Sequence, residues 1–118
     1  MLSTYIKIPI LSINIEEFKD NIESHFEEGI PLSFPSKGVI VNEWSGEHTI
    51  VEYVVTGIVS SQYAGFFYSK DNVPVSFQNS GEEMNEISDT EWEWHGEGDN
   101  HGYVRQIELY WFYFEASL

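Results

Sequence analysis

Cysteine is absent from this chain of 118 residues. Without a thiol the chain cannot form a disulfide or a thiolate metal site, and disulfides are typical of oxidising compartments. The N-terminal residues show no basic stretch followed by an unbroken apolar run, so they do not resemble a secretory signal peptide. An apolar run of about 18 residues, long enough to span a membrane, is also missing. We therefore expect a cytoplasmic protein with a single domain, residues 1–118.

Positively charged residues are scarce. Only 5 Lys and Arg residues stand against 20 Asp and Glu, which gives a formal net charge of -15. Proteins bind DNA, RNA and anionic membranes through Lys and Arg side chains that neutralise the phosphates. The composition therefore excludes direct binding to nucleic acid or to a membrane as an expected role, and it favours a positively charged partner.

Aromatic residues are abundant. The chain has 8 Phe, 7 Tyr and 4 Trp, and 42% of its residues are hydrophobic. A disordered acidic tail lacks the apolar surface that offsets the entropy of folding. This sequence has that surface, so we expect a folded domain with a core of its own.

One helix is predicted at about residues 15–28. Asn14 is a good N-cap, Glu17 lies three residues later as in a capping box, and Gly29 supplies the stop. The apolar stripe at helical spacing consists of Ile15, Phe18, Ile22 and Phe26.

Strand patterns dominate the rest of the chain. A short edge strand is predicted at residues 6–10, and the strands after Gly38 are predicted at Val39–Trp44, Thr49–Ser60, Tyr63–Ser69, Val73–Phe77, Thr90–His95 and Tyr103–Glu115. Turns at residues 70–72 and 96–102 predict two hairpins, and residues 78–88 are predicted to form a loop or a short helical turn. The fold class is therefore α+β: an antiparallel meander sheet of about 6–7 strands with the N-terminal helix on one face. Whether the sheet curves into a half-barrel stays open.

The acidic residues form two clusters. No Lys or Arg occurs between Asp71 and Val104, and the acids in residues 82–99 are Glu82, Glu83, Glu86, Asp89, Glu91, Glu93, Glu97 and Asp99. The helix cluster includes Asp20, Glu23, Glu27 and Glu28. Glu27 and Glu28 lie at the negative end of the helix dipole, where carboxylates destabilise the helix. Folding alone does not favour them there. Solubility and interaction both explain the clusters, and these two positions favour interaction.

Acid and aromatic residues alternate in Glu91-Trp92-Glu93-Trp94-His95. At strand period, Trp92 and Trp94 share one face while Glu91 and Glu93 share the other. Both tryptophans then belong to the core under an acidic outer face. In the alternative interpretation Trp92 anchors a partner, since Trp is frequent at binding hot spots.

No motif for catalysis or metal binding is present. The loop 96–102 has glycines and oxygen ligands but lacks the spacing of a calcium loop, and His95 and His101 alone are weak evidence for a metal. There is no nucleophile elbow and no phosphate-binding loop. We expect no catalytic residues, no metal and no cofactor, and hence a protein that is not an enzyme.

The two acid clusters and the Trp92/Trp94 alternation resemble, at the level of class, the small acidic immunity proteins of bacteriocin and contact-dependent growth-inhibition systems. The resemblance implies a non-catalytic inhibitor that binds a basic toxin in a 1:1 complex and covers its active site, with a nuclease as the favoured toxin. The predicted partner-binding residues are the acids of residues 82–99, Trp92, Asp20, Glu23, Glu27 and Glu28.

Two alternatives remain. A phage-encoded DNA mimic, acting against restriction or CRISPR systems, would use its acids to imitate a track of phosphates. A small-ligand-binding domain or enzyme would use the concave face of the sheet, with a pocket lined by Tyr53, Phe66, Tyr68 and Trp111.

Overall fold

One helix and seven strands make up the described part of the chain. The computed structural model describes residues 15–32, 39–55 and 61–118. The predicted strand at residues 6–10 and the predicted N-cap Asn14 lie outside these residues. The elements are α1 Ile15–Glu28, β1 Val39–Trp44, β2 Ile50–Val55, β3 Gln62–Ser69, a 3₁₀ turn Phe77–Asn79, β4 Asn85–Ser88, β5 Glu91–His95, β6 His101–Glu108 and β7 Trp111–Ser117.

The strands form one antiparallel sheet in the order β1-β2-β3-β7-β6-β5-β4. Two meanders, β1 to β3 and β4 to β7, join where β3 pairs with β7. The last strand of the chain is therefore the central strand of the sheet. Strands β1 and β4 form its two edges in the described residues, so the sheet is not closed into a barrel. The predicted α+β fold with one N-terminal helix is confirmed.

Helix α1 covers one face of the sheet. Phe18 and Ile22 of the predicted stripe are buried, and the ring of Phe18 stacks on Tyr53 at 4.2 Å between centroids. The helix ends as predicted at Gly29, whose φ of 73° is a conformation that suits glycine. The N–H of Gly29 donates to the carbonyl of His25 at 3.1 Å.

The other face of the sheet is covered by the segment between β3 and β4. Val75 and Phe77 from this segment are buried against Phe67, Phe112 and other side chains of the sheet. Strand β7 consequently faces a core on both sides, which explains why successive residues from Trp111 to Phe114 are all aromatic. Trp111 packs under α1, and Phe112 packs under the opposite layer.

The predicted strand Val73–Phe77 and its hairpin with Tyr63–Ser69 are wrong. Strand β3 already pairs with β2 on one side and β7 on the other, so it offers no free edge. Pro74 also lacks the N–H that a central ladder needs. The segment instead crosses the sheet, makes the 3₁₀ turn, and then forms β4 in residues predicted to be a loop.

The predicted strand Tyr103–Glu115 is two strands, β6 and β7, joined by a turn at Leu109–Tyr110. Tyr110 has a φ of 71°, a value that in turns is usually adopted by Gly or Asn. The side-chain oxygen of Asn72 accepts the N–H of Tyr110 at 2.8 Å and so supports this conformation from a neighbouring turn. The predicted strand Thr49–Ser60 is observed as β2, with residues 56–60 outside the described part.

Gly102 generates a prediction about packing. A Cβ at this position would overlap the indole of Trp94, which is itself 3% exposed and has little room to move. Gly102→Ala should therefore destabilise the fold by about 1–3 kcal/mol, the usual cost of overpacking a core. Urea unfolding followed by tryptophan fluorescence measures this change.

Gly46→Ala is the matched control. The nearest atom that its Cβ would meet is Asn79 Nδ2 at 3.5 Å, which is an ordinary contact. Its unfolding midpoint should stay close to that of the natural protein. A Gly102→Ala variant that is as stable as this control would show that Trp94 is not packed against Gly102.

Candidate functional site

The acids of residues 82–99 lie together at one edge of the sheet, which we call the acidic edge. The edge consists of β4, β5, the chain that leads into β4 and the loop from β5 to β6. Glu83, Glu86, Glu97 and Asp99 are exposed. Among the described residues, no Lys or Arg forms an ion pair with any acid of this edge, and Glu93 meets only His95 at 3.9 Å. The edge therefore keeps its negative charge.

The alternation in β5 divides its side chains as predicted. Glu91 is paired with Arg105, Arg105 with Tyr113, and Tyr113 with Phe66, so Glu91 lies on the face that α1 covers. Trp94, on the opposite face, is 3% exposed. Trp92 is half-buried and meets the ring of Phe112 at 6.1 Å. The structure places both tryptophans against the core.

The carboxylate of Glu91 accepts two hydrogen bonds within the fold. It accepts a hydrogen bond from the Tyr103 hydroxyl at 2.5 Å and another from Ser88 Oγ at 2.8 Å. The bond from Tyr103 lowers the pKa of Glu91, with Ser88 adding to the effect. Burial raises the pKa of Tyr103 to about 12. Glu91 therefore links the β4–β5 turn to β6, and its exposed neighbours are better placed to meet a partner.

The helix acids lie over the other half of the sheet. Asp20, Glu23, Glu27 and Glu28 are exposed on α1, whose buried side packs on β2, β3 and β7. Lys19 connects α1 to the end of β6, with its Nζ at 2.5 Å from Glu108 Oε2. The two acid clusters thus lie on different elements, the helix cluster on α1, which packs on β1, β2, β3 and β7, and the acidic edge at β4 and β5.

The four aromatic side chains predicted to line a concave pocket pack against α1 instead. Tyr53 and Trp111 are buried, and Phe66 and Tyr68 are half-buried beside the helix. The Tyr53 hydroxyl donates to Asn21 Oδ1 at 2.9 Å, which fixes the helix over this surface. These rings belong to the core of the α1 layer.

A cleft lies on the opposite side of the sheet. Its volume is about 340 Å³, and it separates the turn between β1 and β2 from the segment that precedes β4. The apolar side chains that line it are Trp44, Pro74, Val75 and Met84. Its polar lining includes Glu47, His48, Ser76, Gln78, Asn79 and Glu82. One acid of the acidic edge, Glu82, therefore also lines this cleft.

Glu52 lies buried beside the cleft wall, with 1% of its surface exposed. Trp44 Nε1 donates to its Oε1 at 2.9 Å, and the backbone N–H of Gln78 donates to its Oε2 at 2.6 Å. Burial raises the pKa of Glu52 to about 7 despite these two bonds, which act in the opposite direction. Glu52 is not among the predicted site residues, although its place between Ile50 and Val54 on the same side of the strand indicates burial.

The backbone that meets Glu52 has an uncommon conformation. Gln78 and Asn79 have φ values of 59° and 56°, in the left-handed region that costs a side-chain-bearing residue on the order of 1 kcal/mol each. Two bonds hold them there: Gln78 N–H to Glu52, and Asn79 Nδ2 to the carbonyl of His48 at 2.9 Å. The segment is therefore fastened to β2 and to the β1–β2 turn, and the cleft between them is preformed.

Glu52 generates a prediction about pH. Its pKa in the folded state, about 7, is above the 4.5 of a free glutamate, so the folded protein binds the proton more tightly than the unfolded chain. The resulting stabilisation is complete below the unfolded pKa and is lost as the pH rises through the folded pKa. Between pH 4.5 and 7 this group should remove on the order of 3 kcal/mol of stability.

The Glu52→Gln variant isolates this contribution because glutamine does not titrate. Urea unfolding at several pH values from 5 to 8 should show the natural protein losing stability relative to the variant as the pH rises. Glu83→Gln, at an exposed position, serves as the control. Parallel stability profiles for the natural protein and Glu52→Gln would contradict the raised pKa.

No protein family model, no curated protein and no solved structure matches this chain. Within residues 15–32, 39–55 and 61–118, no group of three or more His, Asp or Glu side chains is arranged to hold a metal ion. No helix in the same residues is long and apolar enough to cross a membrane.

Proposed function

We propose that this protein is a non-catalytic inhibitor that binds a basic protein through its acidic edge. The observation that supports the proposal is the exposure of Glu83, Glu86, Glu97 and Asp99 at one edge of the sheet, with no Lys or Arg paired to them in the described residues. Like charges held together repel one another, so folding alone does not favour such a cluster. A positively charged partner relieves this repulsion.

The shape of the edge favours contact through side chains. Strand β4 has 4 residues, and its register shifts between Glu86 and Ser88. Short strands, bulges and exposed charges are the features that prevent an edge from pairing with another strand. The partner therefore meets carboxylates rather than an open backbone ladder, and the contact is electrostatic.

A nuclease is the favoured class of partner. Its active site must be positive to hold phosphates, so an acidic surface binds there and competes directly with the substrate. Charge complementarity of this kind raises association rates to about 10⁸–10⁹ M⁻¹ s⁻¹ at low salt. In this proposal the protein acts as an immunity protein that neutralises a basic toxin in a 1:1 complex.

The test begins with identification of the partner. The immobilised protein captures proteins from a lysate of its source cells, the bound protein is identified by mass spectrometry, and that protein is then produced in pure form. The association rate constant with the purified partner should be at least about tenfold lower at 500 mM NaCl than at 50 mM NaCl. Salt screens the attraction between opposite charges as the two proteins approach.

Matched variants locate the contact. The edge variant Glu83→Gln, Glu86→Gln, Glu97→Gln, Asp99→Asn and the helix variant Asp20→Asn, Glu23→Gln, Glu27→Gln, Glu28→Gln each remove four negative charges from exposed positions. We expect the edge variant to associate at least about tenfold more slowly and the helix variant less than about threefold more slowly. The measurement is surface plasmon resonance with the purified partner.

Equal losses in the two variants would contradict a localised contact and would indicate that only the net charge matters. If the partner is a nuclease, the natural protein should also abolish its cleavage of DNA or RNA at a 1:1 ratio. Capture of a restriction or CRISPR protein, displaced by DNA from the complex, would favour the DNA-mimic alternative instead.

A further inference from the structure

The charged side chains that line the cleft between the β1–β2 turn and the segment before β4 are negative. Glu47 and Glu82 supply carboxylates, and among the residues that the structure describes no Lys or Arg lines the cleft. His48, the other titratable group of the lining, already meets Asp71, with 2.8 Å between His48 Nδ1 and Asp71 Oδ2. In the described residues neither Glu47 nor Glu82 forms an ion pair. A ligand that fits this lining carries positive charge.

The apolar side chains that line the cleft favour one kind of cation. Trp44, Pro74 and Met84 give the cleft an aromatic and aliphatic surface. A guanidinium group is planar and weakly hydrated and stacks on aromatic rings, whereas an ammonium group is compact and strongly hydrated. Carboxylates also accept two parallel N–H bonds from a guanidinium. This combination of lining groups favours guanidinium over ammonium.

The cleft is also large enough and preformed. Its volume of about 340 Å³ is at the lower end of small-molecule sites and accommodates an arginine side chain. The two left-handed residues of its wall, Gln78 and Asn79, are fixed by their bonds to Glu52 and to His48. Strain of this kind persists only where the surroundings determine it, and it is frequent at binding sites. A preformed site loses little entropy on binding.

We propose that this cleft binds the guanidinium group of an arginine, between the carboxylates of Glu47 and Glu82 and the wall that contains Trp44. The guanidinium belongs either to an arginine side chain of the basic partner or to a small free molecule. The first source rests on the proposed function. Binding of the guanidinium itself does not.

Titration with N-acetyl-L-arginine amide tests the site without the partner. In ¹H–¹⁵N spectra, the Trp44 indole N–H signal and the backbone N–H signals of Gln78 and Asn79 should shift and saturate at millimolar ligand. N-acetyl-L-citrulline amide has the same shape without the charge and should cause no saturable shift. N-acetyl-L-lysine amide should bind at least about threefold more weakly. Equal shifts with citrulline would overturn the proposal.

Charge-neutralising variants test the lining. Glu47→Gln with Glu82→Gln should weaken arginine amide at least about tenfold, because both carboxylates of the cleft lose their charge. The control, Glu83→Gln with Glu86→Gln, removes two exposed charges that do not line the cleft and should change the affinity less than about twofold. Equal weakening by the two pairs would show that arginine amide responds only to net charge, and it would overturn the site.

The source of the guanidinium is decided by the complex. If the partner supplies it, the Glu47→Gln, Glu82→Gln variant should dissociate from the partner at least about tenfold faster, and arginine amide should compete with the complex. If this variant binds the partner as the natural protein does, while the natural protein still binds arginine amide, the ligand is a small free molecule. Failure to find any basic partner removes the proposed function but leaves the titration result standing.

Discussion

The pairing of β3 with β7 is the interaction on which the rest of the structure depends. It joins the meander β1–β3 to the meander β4–β7, and it lies at the centre of the sheet. Both core layers cross it, since Trp111 lies under α1 and Phe112 under the segment before β4. Because β3 (Gln62–Ser69) and β7 (Trp111–Ser117) are distant in sequence, neither layer is complete until these two segments have been brought together. Such non-local pairing is entropically costly and slows folding.

The same topology explains where the charge is found. A central strand covered on both faces is mostly apolar, so most exposed carboxylates lie towards the edges of the sheet and on the outer side of α1. The acidic edge and the helix acids then lie on different elements. Separation lowers the mutual repulsion of exposed charges, because water and salt screen them over about 10 Å. Placement of the acids on separate elements reduces the cost of a net charge of -15 in the folded chain.

Short-range sequence patterns were sufficient to predict the helix and strands whose structure depends on nearby residues. Helix α1 was predictable because its apolar stripe and Gly29 lie within one short segment, and β5 was predictable from the alternation of acid and aromatic residues. The segment 73–77 was mistaken for a strand because its own residues do suit one. What excludes it from the sheet is β7, more than thirty residues later, which takes the free edge of β3. Competition between distant segments has no local signature.

The turn between β6 and β7 was missed for a related reason. Leu109 and Tyr110 include neither Gly nor Asn, and the left-handed conformation of Tyr110 depends on Asn72, which is 38 residues away. The acidic edge was predictable as a cluster along the chain, since β4 and β5 are adjacent in sequence and in the sheet. The cleft was not predictable, because the hydrogen bond from Gln78 to Glu52 that shapes it spans 26 residues.

Glu52 links the stability of the core to the shape of the cleft. Apolar side chains of similar volume often replace buried charged groups with no loss of stability, so packing alone does not require a carboxyl here. Its ionised form is the better acceptor for the two N–H donors, Trp44 Nε1 and the backbone of Gln78. Its neutral form is the better buried group. The ionised form of Glu52 therefore holds the segment beside the cleft most firmly, although burying this charged form costs the fold the most free energy.

The two N–H donors that meet residue 52 explain why it carries a carboxyl group rather than an amide. An amide has one acceptor oxygen and one NH₂ group, so when its oxygen accepts from Trp44 or Gln78, its NH₂ group faces the other donor. The unsatisfied donor would then be buried next to the core, at a cost of about 1–3 kcal/mol. Only a carboxyl accepts from the edge strand β1 and from the crossing segment at once. The left-handed backbone of Gln78 and Asn79 is thus a consequence of directing one N–H at a buried oxygen.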